Sequence, residues 1–235
     1  MKYSVVIPVF LNNPSHAPVV QATIKSVKAS SDDYELIIVD DGSTLLTGFL
    51  RSEADTYIRH NPTNRGIAPS WNDGKNIARG EFVAIINDDI VVPDGWLDAL
   101  ALAFEKDDCG VAGVYQAGPT VVPALGGNCV KDYKWFSGYC FMLKKDRFFE
   151  NFDEQFVPAQ FEDTDYWVRM IKNDFFLYKS PLSIYHAEGD VLHKMDYKGI
   201  TSKNKKRFIE KHGFDPIPGF YGNEDLYNIL NKTRG

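Results

Sequence analysis

A chain of 235 residues, 44% hydrophobic and 25% charged, can bury a sizeable core and reads as an ordinary globular protein, one large α/β domain or two small ones. Its formal charge of −6 argues against a nonspecific nucleic-acid binder, because such affinity comes mainly from Lys and Arg neutralising phosphates. Cys109, Cys129 and Cys140 are odd in number and lack CxxC or Cys/His finger spacing, which argues against a disulfide framework or a structural zinc.

The opening MKYSVVIPVF has one Lys and a short apolar run that turns strand-like at once, and no later segment approaches the length of a membrane span. With the unpaired cysteine count, this leads to the expectation of a soluble, unexported, cytoplasmic protein without a transmembrane segment.

Tyr3 to Phe10, Glu35 to Val39 and Phe82 to Ile86 are apolar β-rich runs separated by helical or turn-rich segments, an alternation that predicts a parallel sheet flanked by helices. Between the first two, Ala17 to Ala29 places Val20, Ile24 and Val27 on one helical face before the polar SSDD. Between the second and third, RGIAPSWNDGKNIARGE could hold another helix, weakened by Pro69 and Gly74. Trp96 to Glu105 repeats Leu97, Leu100 and Phe104 after PDG, so a helix is expected to leave the third strand.

From Cys109 to about Asn128 the chain is rich in Gly, Ala, Val and Pro with little regularity, and YKWFSGYCFMLKK then gives another strand candidate. EDTDYWVRMIKND aligns Tyr166 and Met170 on a helical side, with acids in the opening turn where the macrodipole favours them. Gly199 to Gly213 reads as a basic amphipathic helix, and the tail beyond Pro216 as a loosely packed extension.

Chemistry concentrates where apolar strands end in acids. In open α/β sheets ligands bind at the carboxyl ends of the strands, so Asp40 and Asp41 after ELIIV should converge with Asp88 and Asp89 after FVAII. At an effective dielectric of about 20, two unit charges about 4 Å apart repel by about 4 kcal/mol, which a divalent cation would relieve. Each pair also has a plainer reading as a turn or helix cap. Further along, FEDTD supplies Glu162, Asp163 and Asp165, and SIYHAEG supplies His186. A carboxylate there could serve as general base, and a neutral imidazole could join oxygen donors around Mn or Mg. Taken singly, an acidic helix start and a core histidine explain them as well.

Read in order, YSVVIPVF, ELIIVDDGST, NPTNRGIAPSWNDGKNIARGEFVAIINDDIVVPDGW, SGYCFMLKKDRFFENFDEQF, FEDTDYWVRM and IYHAEG closely resemble family 2 glycosyltransferases of the GT-A fold, over roughly residues 3 to 212. The resemblance implies a single α/β domain of GT-A type with a mostly parallel, Rossmann-like sheet flanked by helices. In it, about 1–97 would bind the nucleotide sugar, about 98–190 the acceptor, and about 191–235 would form a C-terminal helix and tail. It further implies a nucleoside-diphosphate sugar donor, UDP-linked in preference, a Mn2+ or Mg2+ ion, inversion at the anomeric carbon, and a glycan or glycoconjugate acceptor.

Residue by residue, the resemblance puts Pro8 and Phe10 beside the nucleotide, with Asp40 on the base and Asp41 close behind. NDD stands at the DxD motif, so Asp89 would bind the metal, Asp88 would contact the ribose or share the cation, and Asn87 replaces the first acid. Within NRGIAPSWNDG, Trp71 stands where the family often has Arg, while Asn72 and Gly74 are kept. A base or phosphate contact would then be absent or come from Arg65 or Lys75. FEDTD matches the acidic motif whose second acid is the catalytic base, which assigns that role to Asp163 and acceptor positioning to Glu162. His186 matches the histidine that completes the metal site.

Trp135 and Phe136 are candidates for stacking on a sugar ring, with core packing the equal alternative. Lys203, Lys205, Lys206 and Arg207 could attract an anionic lipid carrier or a membrane surface at the periphery, although such a run more often forms the solvated side of a helix. The competing functions are a sugar-phosphate nucleotidyltransferase, whose Gly- and Arg-rich segment after the first strand PVFLNNPSHAP lacks, and a noncatalytic nucleotide-sugar-binding domain.

Overall fold

The computed structural model describes residues 1–30, 33–45, 47–60, 63–117, 129–132, 137–187 and 197–216. In chain order the elements are β1 (Tyr3–Val9), α1 (Ala17–Ala29), β2 (Tyr34–Asp40), α2 (Gly48–Glu53), β3 (Thr56–Arg59), α3 (Ile67–Ile77), β4 (Phe82–Ile86), β5 (Ile90–Val91), α4 (Trp96–Ala101), β6 (Cys109–Ala117), β7 (Val130–Asp132), β8 (Cys140–Lys144), α5 (Glu162–Lys172), β9 (Phe176–His186) and α6 (Tyr197–His212). They build one α/β unit around a sheet ordered β3-β2-β1-β4-β8-β6-β9-β5, with β7 also on β9.

The first four strands of that order are parallel, which requires helical crossovers and buries β1, β2 and β4 on both faces, while the edge strand β3 stays half-buried. That is why β1, β2 and β4 are nearly continuous runs of Val, Ile and Leu. The alternation of side chains sends Val5, Ile7 and Val9 into a core under α1 and α4, and Val6 into a second core with Trp71, Phe141 and Trp167 under α3 and α5. Beyond β4 the pairing turns antiparallel through β8 and is parallel again between β6 and β9.

Pro69 falls in the first turn of α3, where its missing N–H interrupts no helical bond. Gly74 is required by proximity: a Cβ there would lie 2.3 Å from Val6 Cγ1, so glycine lets α3 settle onto β1. The helix after PDG is shorter than expected, ending at Ala101 and tightening into a 3-10 turn over Leu102–Glu105. The irregular stretch from Cys109 contains β6, which opens on the small residues Cys109 to Val114, all buried and with no polar alternation to betray a strand. The stub before His186 is the end of the 11-residue strand β9. Trp135, Phe136 and the tail beyond Pro216 lie outside the described residues.

The basic helix is more than a solvated face. In α6, Asn204 and Phe208 are fully buried. Among its cations Lys205 pairs with Asp215 at 2.7 Å, Lys206 approaches Glu210 at 3.7 Å, and the Arg207 guanidinium donates to the Gln155 carbonyl. All three cysteines are free thiols, with Cys109 and Cys140 buried. No helix among the described residues is long and apolar enough to cross a membrane.

Candidate active site

The carboxyl ends of β1, β2 and β4 lie along one edge of the sheet, with Val9 in register with Asp40 and β4 running into Asn87, Asp88 and Asp89. The short strand β5 then pairs antiparallel with the end of β9, placing Ile90 opposite His186, while the Ala187 N–H donates to the Asp89 carbonyl at 2.9 Å. This pairing brings His186 Nε2 to 3.2 Å from Asp89 Oδ1, although 97 positions separate them in the chain.

Asp88 points to a different partner. Its Oδ2 lies 3.2 Å from Nε2 of the buried His16, and its backbone carbonyl accepts the Thr23 hydroxyl at 2.9 Å. Burial pushes the Asp88 carboxyl up and Asp89 adds to that, while His16 pulls it down.

Asn87 donates its N–H to the Tyr139 carbonyl at 2.8 Å, and the Tyr139 ring stacks on His186 with centroids 4.7 Å apart. The preceding residue, Gly138, donates its N–H to Asp163 Oδ2 at 3.0 Å. Two consecutive residues thus connect the NDD turn and His186 to the acidic start of α5. Gly138 has no room for a side chain, since a Cβ would sit 2.8 Å from Trp71 Cη2 and 3.1 Å from Asp163 Cβ.

Asp163 Oδ1 accepts the Thr164 N–H at 2.6 Å. Burial raises the Asp163 carboxyl above the ordinary range, opposed by the N–H groups of Thr164 and Gly138. Glu162 is buried beside it and raised well above the ordinary range, by burial first and Asp163 second; its Oε2 has no hydrogen-bond partner among the described atoms. Because the folded protein holds this proton more tightly than the unfolded chain, the stability it confers is full below the unfolded carboxylate value and is lost as pH rises through the raised one. Glu162→Gln, which does not titrate, should therefore have a melting temperature that gains on the wild type between pH 5 and pH 8; a difference that does not change with pH would overturn this.

The expected convergence of four carboxylates on one ion needs correction. Asp40 accepts the Ser43 N–H at 2.8 Å and the Tyr57 hydroxyl at 2.5 Å, with Arg59 3.7 Å away. Asp41 accepts the N–H groups of Arg65 and Gly66, each at 2.8 Å, and meets His60 Nδ1 at 2.7 Å. His60 Nε2 in turn reaches Asp73 at 2.7 Å. Both acids are buried and compensated by side chains and backbone of the β3 and α3 region, so a shared cation is not needed to let them coexist. Among the described residues no group of three or more His, Cys, Asp or Glu could hold a metal ion.

The remaining candidates separate by burial. Pro8 is buried within β1 opposite Val39, and Phe10 follows it half-buried. Trp71 is core, with ring contacts to Phe141 and Phe152. Asn72 spends its amide on the loop ahead of α5, donating to the Phe152 carbonyl at 2.9 Å and to Glu154 at 3.1 Å and accepting the Phe152 N–H at 2.8 Å. Lys75 is sequestered against the Phe149 ring, its ammonium lowered to about 8 by burial and then by Arg169. Arg65 stays half-exposed, paired with Asp73 at 2.9 Å and Glu154 at 3.6 Å. Asp165, the third acid of FEDTD, is wholly buried among Arg169, Lys211 and His212. Sequence reading missed His16, His60, Gly138 and Tyr139, since none stands in a spacing that marks a partner.

With this geometry in view, the sequence model named "Glycosyl transferase family 2" matches residues 4–167, from β1 into the acidic helix α5. The chain belongs to glycosyl transferase family 2. Relatives of this family 2 protein include the glycosyltransferase GlyG of Streptococcus pneumoniae, 27% identical over 46% of this chain and 36% of that protein. A glucosyl-dolichyl phosphate glucuronosyltransferase of Haloferax volcanii is 32% identical over 43% of this chain and 33% of its own. The matched stretch therefore spans about a third of those curated relatives. Among solved structures, a mannosyltransferase from Pyrobaculum calidifontis in complex with GDP-Man and Mn2+ superposes with a TM-score of 0.61 at 17% identity, over 81% of this chain and 58% of that one. Residues 1–349 of S. aureus TarS in complex with UDP-GlcNAc give 0.61 at 15% identity, over 98% and 69%. The fold of this family 2 chain is that of the GT-A glycosyltransferases.

Proposed function

We propose that this protein is an inverting glycosyltransferase that moves a sugar from a nucleoside-diphosphate sugar, UDP-linked in preference, to a hydroxyl of a glycan or glycoconjugate acceptor. The observation that carries the reading is the junction of Asp89 and His186 at 3.2 Å, joined through Tyr139 and Gly138 to the half-buried carboxylate of Asp163. Family membership and solved relatives holding GDP-Man with Mn2+ or UDP-GlcNAc support it.

A carboxylate oxygen and an imidazole nitrogen this close would suit Mn2+ or Mg2+. In this reading Asp89 and His186 hold the ion, and when bound it neutralises charge growing on the diphosphate leaving group. Asp88, oriented by His16, faces the ribose. Pro8 and Phe10 border the nucleotide, while Asp40, Asp41 and Asn72 act by fixing the loops that frame it. Asp163 takes the proton of the acceptor hydroxyl as that oxygen bonds to the anomeric carbon and the bond to the diphosphate breaks. Glu162 backs the acceptor side, in residues 98–190, opposite the nucleotide half formed by residues 1–97.

The test is incubation with Mn2+, a panel of UDP- and GDP-sugars and mixed glycan acceptors. Release of nucleoside diphosphate with one donor is expected. Pyrophosphate release would replace the reading with nucleotidyl transfer, and no turnover of any donor would leave a binding domain. Asp89→Ala should abolish the Mn2+-dependent part of donor affinity in calorimetry; unchanged affinity would remove Asp89 from the site.

A further inference from the structure

Resting on that reading of the acidic pair, we propose that α6 is a positioning element for it, acting through Asn204. The helix lies beyond the matched family region, which ends at residue 167.

A fully buried amide is costly unless its hydrogen-bonding capacity is used. Asn204 Nδ2 faces the carbonyls of Ala159 at 2.8 Å, Gln160 at 3.2 Å and Val157 at 3.5 Å. Its Oδ1 accepts from Arg207 Nη1 at 3.2 Å, which fixes the donor end towards those carbonyls.

The segment it grips needs gripping. Gln160 and Phe161 have φ of 79° and 74°, a left-handed conformation that non-glycine residues rarely adopt and that persists only when the surroundings impose it. The next two residues are Glu162 and Asp163. The N-cap residue of α5, Phe161, makes no side-chain cap bond, so the entry of the chain into the helix depends on contacts from outside it. From the other flank the Ile67 N–H donates to the Pro158 carbonyl at 2.9 Å, so the segment is held between the start of α3 and α6. Phe208 packs on Phe161 with ring centroids 6.0 Å apart, and Lys211 pairs with Asp153 at 2.6 Å. Asn204 touches no reacting group in this arrangement; it acts through the backbone that aims Asp163 at Gly138.

The test compares Asn204→Asp, Asn204→Ala and Lys206→Ala with the wild type in the full chain. Asparagine and aspartate have nearly the same volume, so a space-filling role would tolerate Asn204→Asp, whereas a donor role turns three attractive contacts into repulsive ones. We expect Asn204→Asp to lower kcat by up to about a hundredfold, as small misplacements of reacting groups do, with donor affinity by calorimetry unchanged. Asn204→Ala should fall between it and the wild type, and Lys206→Ala should match the wild type. Amide exchange at Gly138, whose N–H is held by Asp163, should quicken in Asn204→Asp while β1 stays protected. Should Asn204→Asp fail to fold, the same exchange and kinetics in Asn204→Ala decide the matter. Wild-type kcat and Gly138 protection, or an equal loss of donor affinity and kcat, would overturn the proposal. The exchange readout needs no turnover, so a wild type inactive with every donor would count against the proposed reaction and not against this placement.

Discussion

Asp163→Asn is expected to cut sugar transfer by about 10²- to 10⁴-fold, the usual contribution of a positioned general base, while donor affinity stays at the wild-type level. The substitution keeps the shape of the side chain and an oxygen for the N–H of Gly138 or Thr164 but turns an NH2 towards the other, so it removes one of those hydrogen bonds together with the capacity to take a proton. The pH dependence separates this from a loss of structure. Burial raises the Asp163 carboxyl, and only the ionised form can act as base. The wild-type kcat should fall as pH drops through a value above the ordinary carboxylate range, and that limb should vanish from the residual rate of the variant. Following nucleoside diphosphate release from pH 4 to pH 8 measures both. Full transfer by Asp163→Asn, or an acid limb that survives in it, would take the base role away from this residue.

The strands that were readable are those buried on both faces of a parallel sheet, where the sequence has only one way to satisfy a core: β4 runs from Phe82 to Ile86 as expected, and α1 from Ala17 to Ala29. The acids at the strand ends were equally visible, because an apolar run that stops at NDD is a local pattern. What surrounds each acid was not. Asp40 and Asp41 find Tyr57, Arg59 and His60 on and after β3, a four-residue strand with no marked alternation, and so need no common ion. The meeting of Asp89 with His186 depends on β5, a strand of two residues that no periodicity can reveal. The residues alone offer His186 as an imidazole that could join oxygen donors around an ion, and the resemblance of IYHAEG to a family pattern puts it in the metal site with Asp89. His16 and Gly138 matter through contacts across the fold, and long-range pairing leaves no mark in local spacing.

The same limit explains Asp165, which at the sequence level is one more acid in a helical first turn. Burial alone would raise its carboxyl, but His212 at 2.8 Å, Lys211 at 2.6 Å and Arg169 at 2.9 Å together outweigh burial and hold it below the ordinary range. Asp165→Ala leaves Arg169, Lys211 and His212 without their buried partner. Removing one side of a fully buried ion pair typically costs about 3–5 kcal/mol, and the loss here is smaller because Arg169 and Lys211 are part-exposed and keep Glu150 and Asp153. Urea denaturation should show that loss near neutral pH. With its folded value depressed, Asp165 confers stability above the unfolded carboxylate value and loses it as pH falls through the folded one, so the gap between variant and wild type should close in acid. Because Asp165 links α5 to the last turn of α6, the variant should also speed amide exchange along α6 while β1 and β2 keep their protection. A variant as stable as the wild type at neutral pH would mean that Phe208, Asn204 and the remaining ion pairs of α6 hold the helix without Asp165, and the cluster around Asp165 would then be only a tolerated burial of charge.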